Sequence, residues 1–241
     1  MTFAWAAATH QGRVRDHNED ALWPRPDDQD VARGEVADHF LAAVADGMGG
    51  HIGGEVASRL AIEAAVAAGG DAVARVLAAN AAVVATARDR PRLTGMGTTL
   101  TLAVFAGDLV EIGHIGDSRA YRYREGKLEQ LTRDHSLVAE MVASGELRPE
   151  EVATHPFRSV ITRALGLESA VAVDLVQRDL LPGDRFLLCS DGLTTMLEHP
   201  QIAALLAGRD GPAAAAAALV EAANRAGGFD NTSVVVVDVR S

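Results

Sequence analysis

Short apolar runs bounded by turn residues recur along the chain, and their lengths and spacing set out the elements. Phe40–Ala45 (FLAAVA) is an apolar run stopped by Asp46-Gly47, as expected of a buried strand. Arg185–Ser190 (RFLLCS) repeats that arrangement ahead of Asp191-Gly192. Thr98–Phe105, Leu109–Ile115 and Ala120–Arg124 alternate or cluster β-forming residues. Gly107-Asp108 predicts a hairpin turn between the first two, and Gly116-Asp117 interrupts the ladder. Thr232–Val239 is β-branched nearly throughout and predicts another buried strand. Glu55–Ala68 and Asp71–Arg88 instead carry apolar residues at helical spacing. Gly69-Gly70 separates them, and Asp71 is placed to cap the second. Pro212–Arg225 predicts a further helix. Pro24–Gly34 is charged and contains proline, which predicts an exposed loop between two strands. Asp134–Gly166 is polar and mixed in charge, which predicts short helices and loops over the surface. Strand blocks separated by helix pairs, without regular β-α alternation, predict an α+β fold with largely antiparallel sheets.

Composition narrows this picture. The 241 residues are 48% hydrophobic, and no Pro/Ser/Gly-rich linker divides them, so one globular domain over residues 1–241 is expected. A net charge of −11 repels phosphate backbones and argues against nucleic-acid partners. No apolar run reaches the roughly 18 residues of a membrane span. The Ala-rich start, Met1–His10, lacks a basic leader and soon meets Arg13, Arg15 and Asp16, so no signal peptide is expected. The single cysteine, Cys189, allows no intramolecular disulfide, which is compatible with a reducing compartment. The expectation is a cytoplasmic monomer.

The acidic residues have a positional pattern. Asp46 and Asp191 close apolar strands, Asp117 follows one through Gly116, and Asp230 precedes the run from Thr232. Asp20 lies in the charged stretch RDHNED just ahead of Ala21-Leu22-Trp23. A lone Asp-Gly is mostly turn chemistry. Several at the ends of buried strands bring like charges together, and cations must then offset them. Carboxylates without a His/Cys set favour Mg²⁺ or Mn²⁺ over zinc or copper. Two such ions roughly 3.5–4 Å apart can bridge and deprotonate a water for in-line attack on phosphorus. Arg15 suits a phosphate clamp, because a guanidinium forks onto two oxygens; a solvated arginine is the alternative. His51, in Gly49-Gly50-His51, suits an acid or a hydrogen-bond partner of bound water; a structural loop histidine is the alternative.

Other phosphate chemistries fail on spacing. A cysteine phosphatase needs Cys-x5-Arg, and Thr195 stands six residues after Cys189. A P-loop needs Gly-Lys-Ser/Thr, and Leu128 follows Gly126-Lys127. Ile52 stands where a dinucleotide fingerprint needs its third glycine. No Gly-x-Ser-x-Gly elbow is present.

Six motifs then resemble the metal-dependent protein phosphatases of the 2C type, in their compact bacterial form. They are Arg15-Asp16-His17-Asn18-Glu19-Asp20, Asp46-Gly47-Met48-Gly49-Gly50-His51, Gly95-Met96-Gly97-Thr98-Thr99, Gly116-Asp117-Ser118-Arg119, Ser190-Asp191-Gly192-Leu193 and Asp230-Asn231-Thr232-Ser233. They stand in family order and span nearly the whole chain. The resemblance implies a four-layer αββα sandwich with a binuclear Mn²⁺ or Mg²⁺ centre at one end of the sheets. On that likeness Asp46 bridges the two ions, the Gly47 carbonyl joins one of them, and Asp20, Asp191 and Asp230 complete the pair. Asp117, with Asp191, holds a third, weaker ion; Arg15 binds substrate phosphate; residues 134–166 form a flap. Animal members carry a histidine directly after the Asp-Gly, where Met48 stands here, so His51 or a metal-bound water replaces it as proton donor. The implied activity is removal of phosphate from serine and threonine of phosphorylated proteins, including a serine/threonine kinase or its targets. The rival readings are a non-catalytic phosphoprotein-binding module of the same fold and a phosphatase for sigma-factor-type regulators.

Overall fold

The structure is a computed structural model that describes residues 1–25, 31–49, 53–208 and 210–241. In chain order its strands are β1 (Thr2–His10), β2 (Asp20–Trp23), β3 (Val31–Ala37), β4 (His39–Met48), β5 (Gly97–Thr98), β6 (Leu100–Ala106), β7 (Leu109–Ile115), β8 (Arg119–Arg124), β9 (Lys127–Gln130), β10 (Asp174–Asp179), β11 (Arg185–Cys189) and β12 (Thr232–Arg240). The helices are α1 (Gly53–Ala67), α2 (Ala72–Asp89), α3 (Leu137–Ser144), α4 (Asp191–Thr194), α5 (His199–Leu206) and α6 (Gly211–Arg225). One sheet runs β3-β1-β12-β11-β8-β9 and the other β10-β7-β6-β4-β2, with β5 paired to the far end of β4. Every pairing between these strands is antiparallel.

Side-chain alternation sorts the core into three apolar layers. Along β12, Val235, Val237 and Val239 face the opposing sheet, while Val234 and Val236 face α5 and α6. Along β4, Phe40, Ala42 and Val44 enter the space between the sheets, while Leu41, Ala43 and Ala45 meet α1 and α2. Strands covered on both faces must be apolar at every position, which is why these runs do not alternate with polar residues. The αββα order follows directly. Phe105 anchors the middle layer: its ring centroid lies 5.4 Å from that of Phe3 and 5.3 Å from that of Phe186. In α1, Ala57, Ala61 and Ala65 are spaced four residues apart and give a narrow buried face that lets the helix approach its sheet. Asp71 caps α2, accepting a hydrogen bond from the Ala74 amide at 2.8 Å.

Several elements depart from the sequence expectation. β1 occupies most of the Ala-rich start, since it pairs with both β12 and β3. The expected loop Pro24–Gly34 becomes strand from Val31, and Gly34 pairs with Trp5. A Cβ at Gly34 would stand 2.8 Å from the Trp5 indole, so this glycine makes room for the ring. Asp46 does not end its strand: β4 continues to Met48, because Gly47 and Met48 pair with β5. Asp191-Gly192 does not form a turn; it opens α4 behind Ser190. Segment 134–166 holds α3 and a short 3₁₀ turn over Pro149–Thr154. A bridge between Ser136 and Ile161 joins its two arms, and one between Thr98 and Leu165 ties its returning arm to the body.

Candidate functional site

The acidic residues of both sheets converge at one end of the sandwich. Asp20 and Asp46 stand directly opposite each other in the β2–β4 ladder. Like charges facing each other across strands oppose pairing, so this register needs a compensating partner. Asp191 enters from the end of β11, Asp117 from the turn after β7, and Asp230 from the approach to β12. As whole residues Asp20, Asp46, Asp191 and Asp230 are half-buried, and Asp117 is buried.

The backbone around them is held from several sides. The Asp46 amide donates to Thr99 Oγ1 at 2.9 Å, and its carbonyl accepts from the Thr99 amide and from Thr98 Oγ1. The Gly47 amide donates to the Glu19 carbonyl at 3.1 Å. A Cβ on Gly47 would overlap the Gly54 carbonyl at the start of α1, so only glycine lets the two backbones meet. A Cβ on Gly192 would overlap the Asn231 carbonyl in the same way. Ser190 Oγ donates to Asp20 Oδ2 at 2.7 Å and accepts from the Ser233 amide at 2.9 Å, linking Asp20 to the opposite sheet. Asn231 binds the N-terminal loop: its Oδ1 accepts from the Glu19 amide, and its Nδ2 donates to the carbonyls of Gln11 and His17.

Electrostatics set these groups apart from ordinary surface aspartates. Burial is the largest cause of the upward shift at Asp20, Asp46, Asp117 and Asp191, with repulsion from neighbouring carboxylates adding to it. Asp20 and Asp117 are each pushed up to about 7; at Asp20 the hydrogen bonds from Ser190 and Ser233 partly oppose the rise. Asp46 is repelled by Asp20, Asp191, Asp117 and Asp230 together. The only arginine at the mouth with a close partner in the cluster is Arg15, among the described residues: its Nη2 lies 2.6 Å from Asp230 Oδ2. That bond is the main reason its pKa is raised.

The carboxylate oxygens Asp20 Oδ1, Asp117 Oδ1 and Asp191 Oδ1, like Glu19 Oε1, are buried with no hydrogen-bond partner among the described residues. Buried charge without a partner is costly, so each oxygen calls for a proton or a cation. The donor set is all oxygen, which fits a hard divalent ion. Among the described residues no three His, Cys, Asp or Glu side chains are already closed into a coordination shell. These carboxylates would hold such an ion, with water in its remaining positions, as is common for Mg²⁺.

All six residues named from sequence as metal-site candidates, Asp20, Asp46, Gly47, Asp117, Asp191 and Asp230, therefore lie at this one end, with Arg15 beside them. His51 lies outside the described residues. Sequence reasoning singled out no role for Ser190, Thr99 or Asn231, although all three stand inside the quoted motifs. Their positions next to Asp191, behind Gly97-Thr98 and next to Asp230 are the signal that could have marked them.

An αββα sandwich that gathers a half-buried oxygen-donor cluster at one end of its two sheets defines the class to which the chain belongs. Within it the match is specific: a family model described as protein phosphatase 2C matches residues 16–222, and the chain belongs to the protein phosphatase 2C family. It is 43% identical to the serine/threonine protein phosphatase PstP of Mycobacterium tuberculosis over 99% of this chain. It spans only 45% of the length of that relative. It is 36% identical to the serine/threonine phosphatase stp of Listeria welshimeri, over 95% of this chain and 93% of that one. The solved catalytic domain of PstP in complex with two manganese ions matches with a TM-score of 0.86 and 40% identity, over 100% of both chains.

Proposed function

We propose that this chain is a metal-dependent phosphatase that removes phosphate from phosphoserine and phosphothreonine of proteins, and that residues 1–241 form one catalytic domain. Asp46, shared between them, with Asp20, Asp191, Asp230 and the Gly47 carbonyl, would hold two Mn²⁺ or Mg²⁺ ions. Asp117, with Asp191, would hold a third and weaker ion. The observation that carries the reading is the convergence, at the ends of both sheets, of mutually repelling carboxylates with buried oxygens that have no partner among the described residues. When bound, such ions lower the pKa of a water and offset charge on phosphoryl oxygens.

The protein's own groups do the rest. Asp46 and Asp20 aim their oxygens because Thr98, Thr99 and Ser190 fix their backbone and side chains. Arg15 pairs with Asp230 at the mouth of the cluster. Released from Asp230, the Arg15 guanidinium would fork onto two phosphate oxygens. His51 or water returns a proton to the leaving serine or threonine oxygen. Segment 134–166 serves as a flap beside the mouth. Phosphoproteins, including a serine/threonine kinase or its targets, are the partners, met by a monomer in the cytoplasm. Among the described residues no helix is long and apolar enough to cross a membrane.

The test is phosphate release from a phosphothreonine peptide by the purified chain with Mn²⁺ or with EDTA. Turnover with Mn²⁺ and none in EDTA is expected. Equal turnover in both would exclude the metal mechanism, and Mn²⁺ binding without turnover would favour the non-catalytic phosphoprotein-binding module.

A further inference from the structure

His135 lies outside the carboxylate cluster, yet it bonds directly to the turn that delivers Asp117. It is 2% exposed. Its amide donates to the Gly116 carbonyl at 2.8 Å, and the Gly116 amide donates back to His135 Nδ1 at 3.0 Å. Both polar groups of the residue preceding Asp117 are thus held by one histidine. Gly116 has a φ of +110°, and a Cβ there would lie 2.5 Å from Thr99, so the turn can neither take a side chain nor shift toward Thr99.

The same histidine holds the other end of segment 134–166. Its carbonyl accepts from the Thr162 amide at 2.8 Å, and the next residue, Ser136, bridges to Ile161. Because Nδ1 accepts a hydrogen bond, the ring proton sits on Nε2, which faces Asp174 Oδ2 at 3.2 Å without aligning as a hydrogen bond. Asp174 in turn accepts from Arg163 Nη1 at 2.7 Å, on the returning arm of the segment. The opposite side of the ring rests on His114, with ring centroids 4.7 Å apart. His114 is itself fixed by Thr101 Oγ1 and the Arg133 carbonyl.

We propose that His135 is a positioning residue: it fixes the Asp117 carboxylate through the Gly116 turn and links that carboxylate to both arms of segment 134–166. A displacement of the segment is then transmitted to Asp117 by one side chain and two peptide groups. The cation role of Asp117 in this link rests on the proposed phosphatase reading; the link itself does not.

Three variants separate the two. His135→Ala removes the acceptor for the Gly116 amide, His135→Asn keeps an acceptor near the position of Nδ1, and Asp117→Asn removes the carboxylate charge. Hydrogen exchange by mass spectrometry on the metal-free protein reads the link directly. His135→Ala should raise exchange at least tenfold in both the 113–118 and the 158–166 peptides, and His135→Asn should restore most of the protection at 113–118. Mn²⁺ titration calorimetry should show His135→Ala weakening, about tenfold, the same weak site that Asp117→Asn abolishes, with the tighter sites kept. Unchanged exchange at 113–118, or loosening spread evenly over the chain, overturns the proposal. If Asp117→Asn binds Mn²⁺ as the wild type does, the assignment of Asp117 as a ligand fails, while the exchange result still decides the link.

Discussion

Removing divalent ions should make the stability of this fold depend on pH in an unusual direction. In the metal-free protein Asp20 and Asp117 are each raised from 3.8 to about 7, and burial is the main cause at both. The unfolded chain releases these protons near pH 4, whereas the folded chain keeps them to near pH 7. The folded state thus binds more protons across that window, and its stability falls as pH rises through it. For one carboxylate the rise corresponds to about 4 kcal/mol. In a protein of this size about 1 kcal/mol moves Tm by about 2–4 °C, so the whole window is worth about 8–16 °C. His114 acts in the opposite sense. Burial lowers it to about 4, so its contribution is lost as pH falls from the ordinary histidine range toward 4. That contribution is common to metal-loaded and metal-free samples, and the gap between their Tm values cancels it. Scanning fluorimetry with Mn²⁺ or EDTA should show this gap widening by on the order of 10 °C between pH 4.5 and 7.5. Asp117→Asn should shrink the widening, because an amide has no charge to bury. A gap that stays constant with pH, or one that Asp117→Asn leaves untouched, would refute the reasoning.

Other perturbations have equally definite outcomes. Arg15→Ala should lower kcat/KM on a phosphothreonine peptide by roughly ten- to a hundredfold, the worth of a charged hydrogen-bond pair, with Mn²⁺ stoichiometry unchanged by calorimetry. Unchanged kinetics would remove Arg15 from the phosphate. Gly47→Ala forces a Cβ into the Gly54 carbonyl, so the strand end and the start of α1 must separate; lower Tm and weaker Mn²⁺ binding should appear together. Phe105→Ala empties the middle layer where the rings of Phe3, Phe40 and Phe186 meet. It should cost about 3–5 kcal/mol in urea denaturation, and a loss below 1 kcal/mol would mean the two sheets do not depend on that contact.

How far the sequence could be read differs between the strands and the site. Runs buried on both faces, such as the Val234–Val237 stretch, announced themselves because every position had to be apolar. β1 did not: its alanines are weak β-formers, and only pairing on both sides with β12 and β3 makes them a strand. β10, at a sheet edge, alternates half-buried and exposed residues over only Asp174–Asp179, too little for a pattern to stand out. Gly34 fell in the expected loop Pro24–Gly34 because the ring that needs its missing side chain, Trp5, is remote in sequence. The aspartates of the site were legible because they interrupt apolar runs, and an interruption is visible locally. Their supports were not. Ser190 reaches Asp20 across 170 positions of chain, and Asn231 reaches Glu19 across 212. A hydroxyl or amide with only distant partners leaves no local periodic trace.

The central claim, that carboxylates from both sheets hold a pair of divalent ions around Asp46, is tested most directly by anomalous scattering from crystals grown with Mn²⁺. Two strong Mn peaks flanking the Asp46 carboxylate are predicted, one of them also within reach of Asp20 or the Gly47 carbonyl, and both absent in Asp46→Asn. A map with no Mn at this end of the sandwich, or with peaks that survive in Asp46→Asn, would contradict it.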